Sequence, residues 1–253
     1  MSPTTRLWLV LAVLLSACAG GMGGNIVGQS SDKARRSAEL QVQLAQEYLK
    51  RGQLDVARDK LKRALELDPY SAQAHTVSGF LGETIGDYLQ AELHYRRATE
   101  LKPKDGDMSN NFASFLCRRG RYDESDAQFQ RAFADPYYKT PEVALTNAGM
   151  CARDGGRLEQ AETYLREALA RKPDYAAALV PMASVLYARE DYLRARAFLQ
   201  RYEAVHDAGP EVLHLGMQIE QALGDHRSAE DYRRRLLSGY PRSREALSLG
   251  TAE

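Results

Sequence analysis

A repeat of about 34 residues runs through most of this 253-residue chain. Glycines recur at intervals of 34, 34, 36 and 68 residues, and Glu190 stands midway in the last interval. The glycines are Gly52, Gly86, Gly120, Gly156 and Gly224. A glycine suits the tight backbone that ends a helix, and a proline stops a helix because it has no N–H. Prolines close four of the units, at Pro69, Pro103, Pro173 and Pro241, so the pattern predicts one helix that ends at the glycine and a second that ends at the proline.

A small residue follows each turn position by five residues, which lets the second helix approach the first closely. These residues are Ala57, Ala91, Ser125, Ala161, Ala195 and Ala229. The combined pattern resembles the tetratricopeptide repeat. This resemblance implies an all-α fold, a right-handed superhelical solenoid of about six helix-turn-helix repeats. We predict a repeat domain at 33–253, with units at 38–71, 72–105, 106–138, 142–175, 176–209 and 210–243.

The register slips between the third and fourth units. Pro136 arrives one residue early, so the preceding helix ends short and the segment Asp135–Pro141, DPYYKTP, fills the space. We expect an ordered elbow with two tyrosines here. A solenoid interrupted at its middle is expected to form two three-repeat halves of slightly different curvature.

The N-terminus has the layout of a secretory signal. Arg6 precedes a nine-residue apolar run, Leu7–Leu15, which is too short to span a bilayer. The tetrad Leu15-Ser16-Ala17-Cys18 resembles the lipobox of bacterial lipoproteins, whose cysteine is lipidated after cleavage. We therefore predict a signal peptide at 1–17 and a lipidated Cys18 with a flexible linker at 18–32; a plain signal peptide is the alternative. The lipoprotein resemblance, with Ala19 rather than Asp after the cysteine, implies the outer membrane, facing the periplasm.

No residue pattern suggests an enzyme. Acidic and basic residues are equal in number, 34 each, so net charge gives no reason to expect nucleic acid as a partner. The five histidines are scattered singly, and no phosphate-binding, metalloprotease or serine-hydrolase motif occurs. We predict no catalytic residue, no metal, no cofactor and no small-molecule substrate.

Two cysteines fall on the first helices of adjacent repeats, Cys117 and Cys151. Packed helices lie about 8–10 Å apart, and a disulfide needs Cα atoms within about 7 Å. This comparison favours buried free thiols. A disulfide is the alternative, since the periplasm is oxidising.

The first helix of each repeat lines the concave face of such solenoids, where peptides or partner segments bind. The register places a mixture of aromatic, amide and sulfur side chains there, which suits a peptide backbone and its apolar side chains. The candidate groove residues are Phe80, Asn110, Asn111, Ser114, Thr146, Asn147, Met150 and Tyr187. Asn111 and Asn147 resemble the paired asparagines of peptide-binding repeat clamps. The alternative is that these amides only stiffen the superhelix.

The stretch from Asn110 to Cys151 resembles type IV pilus biogenesis lipoproteins of the PilF or PilW family, the pilotins. The likeness rests on Asn110-Asn111, Phe115-Leu116-Cys117, the Tyr137–Pro141 elbow and Asn147-Ala148-Gly149. It implies a non-enzymatic role: binding the secretin subunit of the pilus, bringing it to the outer membrane and promoting its assembly into a multimer. A general periplasmic repeat adaptor for envelope assembly is the alternative.

Overall fold

The computed structural model describes residues 30–250, and within this range the chain forms thirteen helices and no strand. The helices are α1 (Asp32–Lys50), α2 (Leu54–Leu67), α3 (Ala72–Thr84), α4 (Tyr88–Leu101), α5 (Gly106–Arg118), α6 (Tyr122–Phe133), α7 (Pro141–Asp154), α8 (Leu158–Arg171), α9 (Ala176–Ala188), α10 (Tyr192–Glu203), α11 (Pro210–Ala222), α12 (His226–Gly239) and α13 (Arg244–Gly250). Each of the six predicted units corresponds to one pair, an odd-numbered helix followed by an even-numbered one, although α1 and α7 begin six residues and one residue before the predicted starts at 38 and 142. The all-α repeat fold is confirmed.

The turn inside each pair needs a left-handed backbone conformation. All five repeat glycines adopt it, with φ between 71° at Gly52 and 83° at Gly86. Glu190 adopts it as well, with φ 62°, and it is the only residue other than glycine with positive φ in the described range. A side chain makes this conformation costly, so repeat five keeps the turn geometry without the residue that suits it.

Close packing within each pair depends on the small residue predicted five positions after the turn. Ala57, Ser125 and Ala161 are fully buried. Gly149 on α7 illustrates the tightness, because a Cβ added there would lie 2.6 Å from Cγ of Leu165 on α8. The buried apolar residues between paired helices form five clusters, of which the largest spans repeats three to six.

Every helix of the described range contacts only helices that lie one or two places away along the chain. This nearest-neighbour pattern is characteristic of a solenoid. At the C-terminal end, α13 packs on α11 and α12, where Ala246 joins Leu213 and Leu236 in a small cluster. The 34-residue period did not predict this short capping helix.

The elbow between α6 and α7 is fastened to the start of α5. Asp135 accepts a hydrogen bond from the backbone N–H of Gly106 at 2.9 Å. The ring of Tyr138 covers Gly106 so closely that a Cβ there would lie 2.6 Å from Cγ of the tyrosine. Tyr137, in contrast, is 87% exposed. The segment at the register slip is therefore ordered: Tyr138 packs against α5, and Tyr137 faces solvent.

The predicted signal peptide and Cys18 lie outside the described residues. Within residues 30–250, none of the helices combines the length and the apolar character needed to cross a membrane.

A candidate peptide-binding groove

A groove of about 630 Å³ runs along the concave face of the first four repeats, and we call it the N-terminal groove. Helices α1, α3, α5 and α7 provide most of its walls. Its lining residues are Gln46, Leu49, Lys50, Gln73, Thr76, Val77, Phe80, Tyr95, Asn110, Asn111, Ser114, Arg118 and Asn147. Five of the eight predicted residues, Phe80, Asn110, Asn111, Ser114 and Asn147, therefore meet in one place.

The other three predicted residues lie elsewhere. Thr146 is 3% exposed, and its hydroxyl donates to the carbonyl of Glu142 at 2.8 Å, inside its own helix. Met150 lines a second concavity of about 800 Å³, the C-terminal groove, together with Pro181, Leu215 and neighbouring residues of repeats four to six. Tyr187 lines neither groove, and its ring packs against that of Tyr192 with centroids 5.6 Å apart.

The amides of Asn110 and Asn147 bond to each other across two repeats. The Asn147 side-chain NH₂ donates to the Asn110 side-chain oxygen at 3.1 Å. This bond joins α5 to α7 and so stiffens the superhelix, but it is made by Asn110 and not by Asn111, the residue that the sequence paired with Asn147. It uses one donor and one acceptor, so the NH₂ of Asn110 and the oxygen of Asn147 still have hydrogen-bonding capacity toward the groove. The two interpretations are therefore compatible.

Phe80 supplies the apolar surface of the N-terminal groove. It stands on α3 and is 52% exposed, although most large apolar side chains of this fold are buried. An exposed aromatic ring in a concave, amide-rich surface is typical of a position that becomes buried when a partner binds.

One wall of the N-terminal groove contains an ion pair that the sequence did not reveal. Arg118 on α5 donates from Nη2 to Glu83 on α3 at 2.8 Å, and the Tyr95 hydroxyl lies 3.4 Å from the same carboxylate. The hydrogen bonds to Glu83 raise the pKa of Arg118, and burial raises the pKa of Tyr95. The sequence contained one signal for this ion pair: Glu83 and Arg118 are 35 residues apart, one repeat length plus one residue, which places them on the first helices of adjacent repeats. Arg118 is neutralised by Glu83, and Lys50, the other cation that lines the groove, pairs with Glu47 at 2.8 Å. The groove therefore favours an uncharged peptide segment.

Cys117 and Cys151 form a disulfide between α5 and α7, with Cα atoms 5.7 Å apart. The expectation of buried free thiols is therefore wrong. The 8–10 Å spacing separates helix axes, whereas Cα atoms on facing sides each lie about 2.3 Å nearer the partner helix. Facing Cα atoms thus come well within disulfide range. The bridge and the asparagine pair join the same two helices at the register slip.

No group of three or more His, Cys, Asp or Glu side chains in residues 30–250 is arranged to hold a metal ion. The groove instead offers amide donors and acceptors, one exposed aromatic ring and a neutralised ion pair. These groups are suited to the backbone and one apolar side chain of a polypeptide segment.

Comparison with known proteins agrees with the repeat architecture. Tetratricopeptide-repeat family models match residues 42–105, 83–139 and 152–216. The chain is 28% identical over 246 residues to the type IV pilus assembly protein PilF of Pseudomonas aeruginosa, and this alignment covers 97% of each of the two chains. Among solved structures, it resembles PilW, described as a widely conserved type IV pilus biogenesis factor. The TM-score is 0.79 at 30% identity, covering 84% of this chain and 97% of PilW. The Pseudomonas aeruginosa PilF structure matches with a TM-score of 0.76 at 25% identity, covering 87% of this chain and all of that one.

Proposed function

This chain belongs to the tetratricopeptide-repeat family of type IV pilus biogenesis proteins, and from that premise we propose that it is a pilotin. It binds the secretin subunit in the periplasm, brings it to the outer membrane and promotes its assembly into a multimer. The role within pilus biogenesis follows from the family. The secretin, the lipid anchor and the outer membrane are the parts that we add.

The observation that carries the binding role is the exposed ring of Phe80 among the amides of the N-terminal groove. Asn110, Asn111 and Asn147 supply donors and acceptors for the backbone of an extended segment, and Phe80 supplies the surface for one apolar side chain. The groove contains no unpaired acidic group. A secretin segment of low charge with an apolar residue fits this surface.

The proposed location rests on the N-terminal sequence. Cys18 follows a nine-residue apolar core in a lipobox-like tetrad, and Ala19 follows the cysteine. A lipid anchor would restrict the search for secretin subunits to the membrane in which they must assemble. Replacing Cys18 with Ser should leave a folded protein that no longer fractionates with the outer membrane; continued outer-membrane fractionation would refute the anchor.

Affinity capture from detergent-solubilised envelopes tests the partner. Wild-type protein should retain the secretin, and Phe80→Ala should weaken retention about tenfold, since burial of a half-exposed ring is worth about 1.5 kcal/mol. Leu193→Ala is the matched control, because Leu193 is 68% exposed on α10 and lines neither groove.

Two outcomes would decide against the pilotin role. One is capture without any secretin combined with normal piliation of a deletion strain. The other is recovery of diverse envelope assembly proteins in place of secretin, which is the result expected of a general periplasmic adaptor. If Phe80→Ala retained as much secretin as wild type, the N-terminal groove would not be the surface that binds it.

A further inference from the structure

Two histidines face each other inside the second repeat. His75 lies in the first turn of α3 and His94 lies on α4, with their Nδ1 atoms 2.9 Å apart and both rings partly buried. On its other side, His75 Nε2 lies 3.2 Å from the carbonyl oxygen of Pro69 in the preceding turn. Two hydrogen bonds in series thus connect that turn to α3 and α3 to α4.

The chemistry of these contacts fixes the proton positions. A carbonyl oxygen can only accept, so Nε2 of His75 must carry a hydrogen and donate it to Pro69. Neutral His75 then has a lone pair on Nδ1. The facing Nδ1 of His94 must therefore carry the hydrogen that lies between the two rings.

This arrangement tolerates one additional proton and no more. The first can bind Nε2 of His94, which leaves the bond between the rings intact and gives its donor a positive charge. A second must bind Nδ1 of His75, where it meets the N–H of His94. The hydrogen bond is then lost, and two cations lie about 3 Å apart in a partly desolvated site.

We propose that the pair His75–His94 is a pH-sensitive device that holds α3 against α4 at neutral pH and releases it when the second proton binds. Its consequence for binding rests on the proposed function, because α3 also carries Thr76 and Phe80 of the N-terminal groove. Release of α3 would displace the apolar wall that receives the partner.

The charges around the pair come from several elements. Asp68 faces His75 from the end of α2, and Arg97 and Glu100 face it from α4. Farther out, His94 lines a surface groove between α2 and α4. The charged residues of this groove are Arg58, Lys62 and Glu66 of α2 and the α4 N-cap residue Asp87.

Desolvation is the main cause that lowers the pKa of both histidines, and the proximity of His75 lowers that of His94 further. For His75, the hydrogen bond to the Pro69 carbonyl is the largest influence that opposes this lowering of the pKa; Arg97 acts in the same direction as desolvation, whereas Asp68 and Glu100 also oppose it. A lowered pKa means that the unfolded chain binds protons first, so stability falls as the pH decreases through the usual histidine value.

Hydrogen exchange measured by mass spectrometry on the intact protein in detergent tests the device. Exchange at the histidine ring carbon gives the pKa of each histidine, and amide exchange, corrected for its intrinsic pH dependence, reports the opening of α3. Between pH 7 and pH 5 the opening of α3 should increase about 20-fold, given a free histidine pKa of about 6.5.

Two variants separate the device from a general acid effect. His94→Asn removes one titrating ring, and its amide can turn either its NH₂ or its oxygen toward Nδ1 of His75, so protonation of His75 no longer sets two donors or two cations against each other. The increase in α3 opening between pH 7 and pH 5 should therefore fall well below 20-fold. His226→Gln removes an exposed histidine at the start of α12 and should behave like wild type.

A 20-fold increase that persists in His94→Asn, or a His75 that titrates at the usual histidine value, would overturn the proposal. Neither readout involves the secretin, so failure of the proposed function would leave this test intact. Secretin retention at pH 5 and pH 7 then measures the effect of the device on binding.

Discussion

The disulfide between α5 and α7 should contribute about 4 kcal/mol to the stability of the middle of the solenoid. Cys117 and Cys151 are 34 residues apart, and the chain-entropy relation for a closed loop of that length gives about 3.8 kcal/mol at 25 °C. The loop encloses α6 and the elbow. Since each repeat contacts only its neighbours, the loss on reduction should be concentrated in repeats three and four.

Urea denaturation and amide hydrogen exchange measure this contribution. The variant Cys117→Ser/Cys151→Ser is compared with its parent in a full chain that carries Cys18→Ser, so that the parent has only these two cysteines. Dithiothreitol should lower the unfolding midpoint of the parent and leave the variant unchanged. Because Cys151 Sγ lies 3.3 Å from the Ser125 hydroxyl, a Cys→Ala pair serves as a control for new polar contacts.

Two results would refute this reasoning. Equal unfolding midpoints for the oxidised and reduced parent would show that the bridge does not restrict the unfolded chain. A loss of amide protection spread evenly from α1 to α12 would show that the six repeats unfold as one unit rather than as neighbours.

Four further substitutions test three separate features of the described range. Glu190→Gly should stabilise the protein by about 1 kcal/mol in urea denaturation, because it relieves a left-handed backbone, whereas Gly224→Ala should destabilise it by a similar amount; the same sign for both would contradict this account. Gly106→Ala should cost about 1–3 kcal/mol and expose Tyr138 to solvent, since the new Cβ would occupy the position of its ring; unchanged tyrosine quenching would argue against this packing. Although burial opposes its charge, hydrogen bonds from neighbouring arginines lower the pKa of Glu162. Glu162→Gln should therefore cost about 2 kcal/mol at pH 7, and the difference from wild type should vanish as the pH falls through the lowered pKa of Glu162; a constant difference down to pH 2 would be inconsistent with that cause.

The sequence predicted the helix pairs because their determinants are local. A left-handed turn needs Gly52 or an equivalent, and a close helix contact needs Ala57 or an equivalent, so both leave a period that can be counted. The short helix α13 escaped prediction because it caps the solenoid and does not repeat. Glu190 was noticed as a missing glycine, but only the backbone showed that the turn is kept despite the side chain.

The groove was harder to predict because its determinants lie between repeats. Register alone placed Phe80, Asn110 and Asn147 on the concave face, and they meet there. It could not show that Thr146 turns inward to its own helix or that the concave surface divides into two grooves. Those outcomes depend on side-chain rotamers and on contacts between neighbouring repeats, which leave no countable period in the sequence.

Because each repeat contacts only its neighbours, the solenoid should bend elastically at the separate joints between repeats. Its overall bend is the sum of five small angles between six repeats, and each angle is resisted only by the contacts at its own joint. The covalent bond between α5 and α7 stiffens the third of these five joints. Strain applied to either end would therefore be taken up by the two joints nearest that end. When the solenoid is bent, the part of the N-terminal groove formed by Asn110 and Asn147, at the stiffened joint, should keep its geometry longer than the part formed by Phe80 on α3.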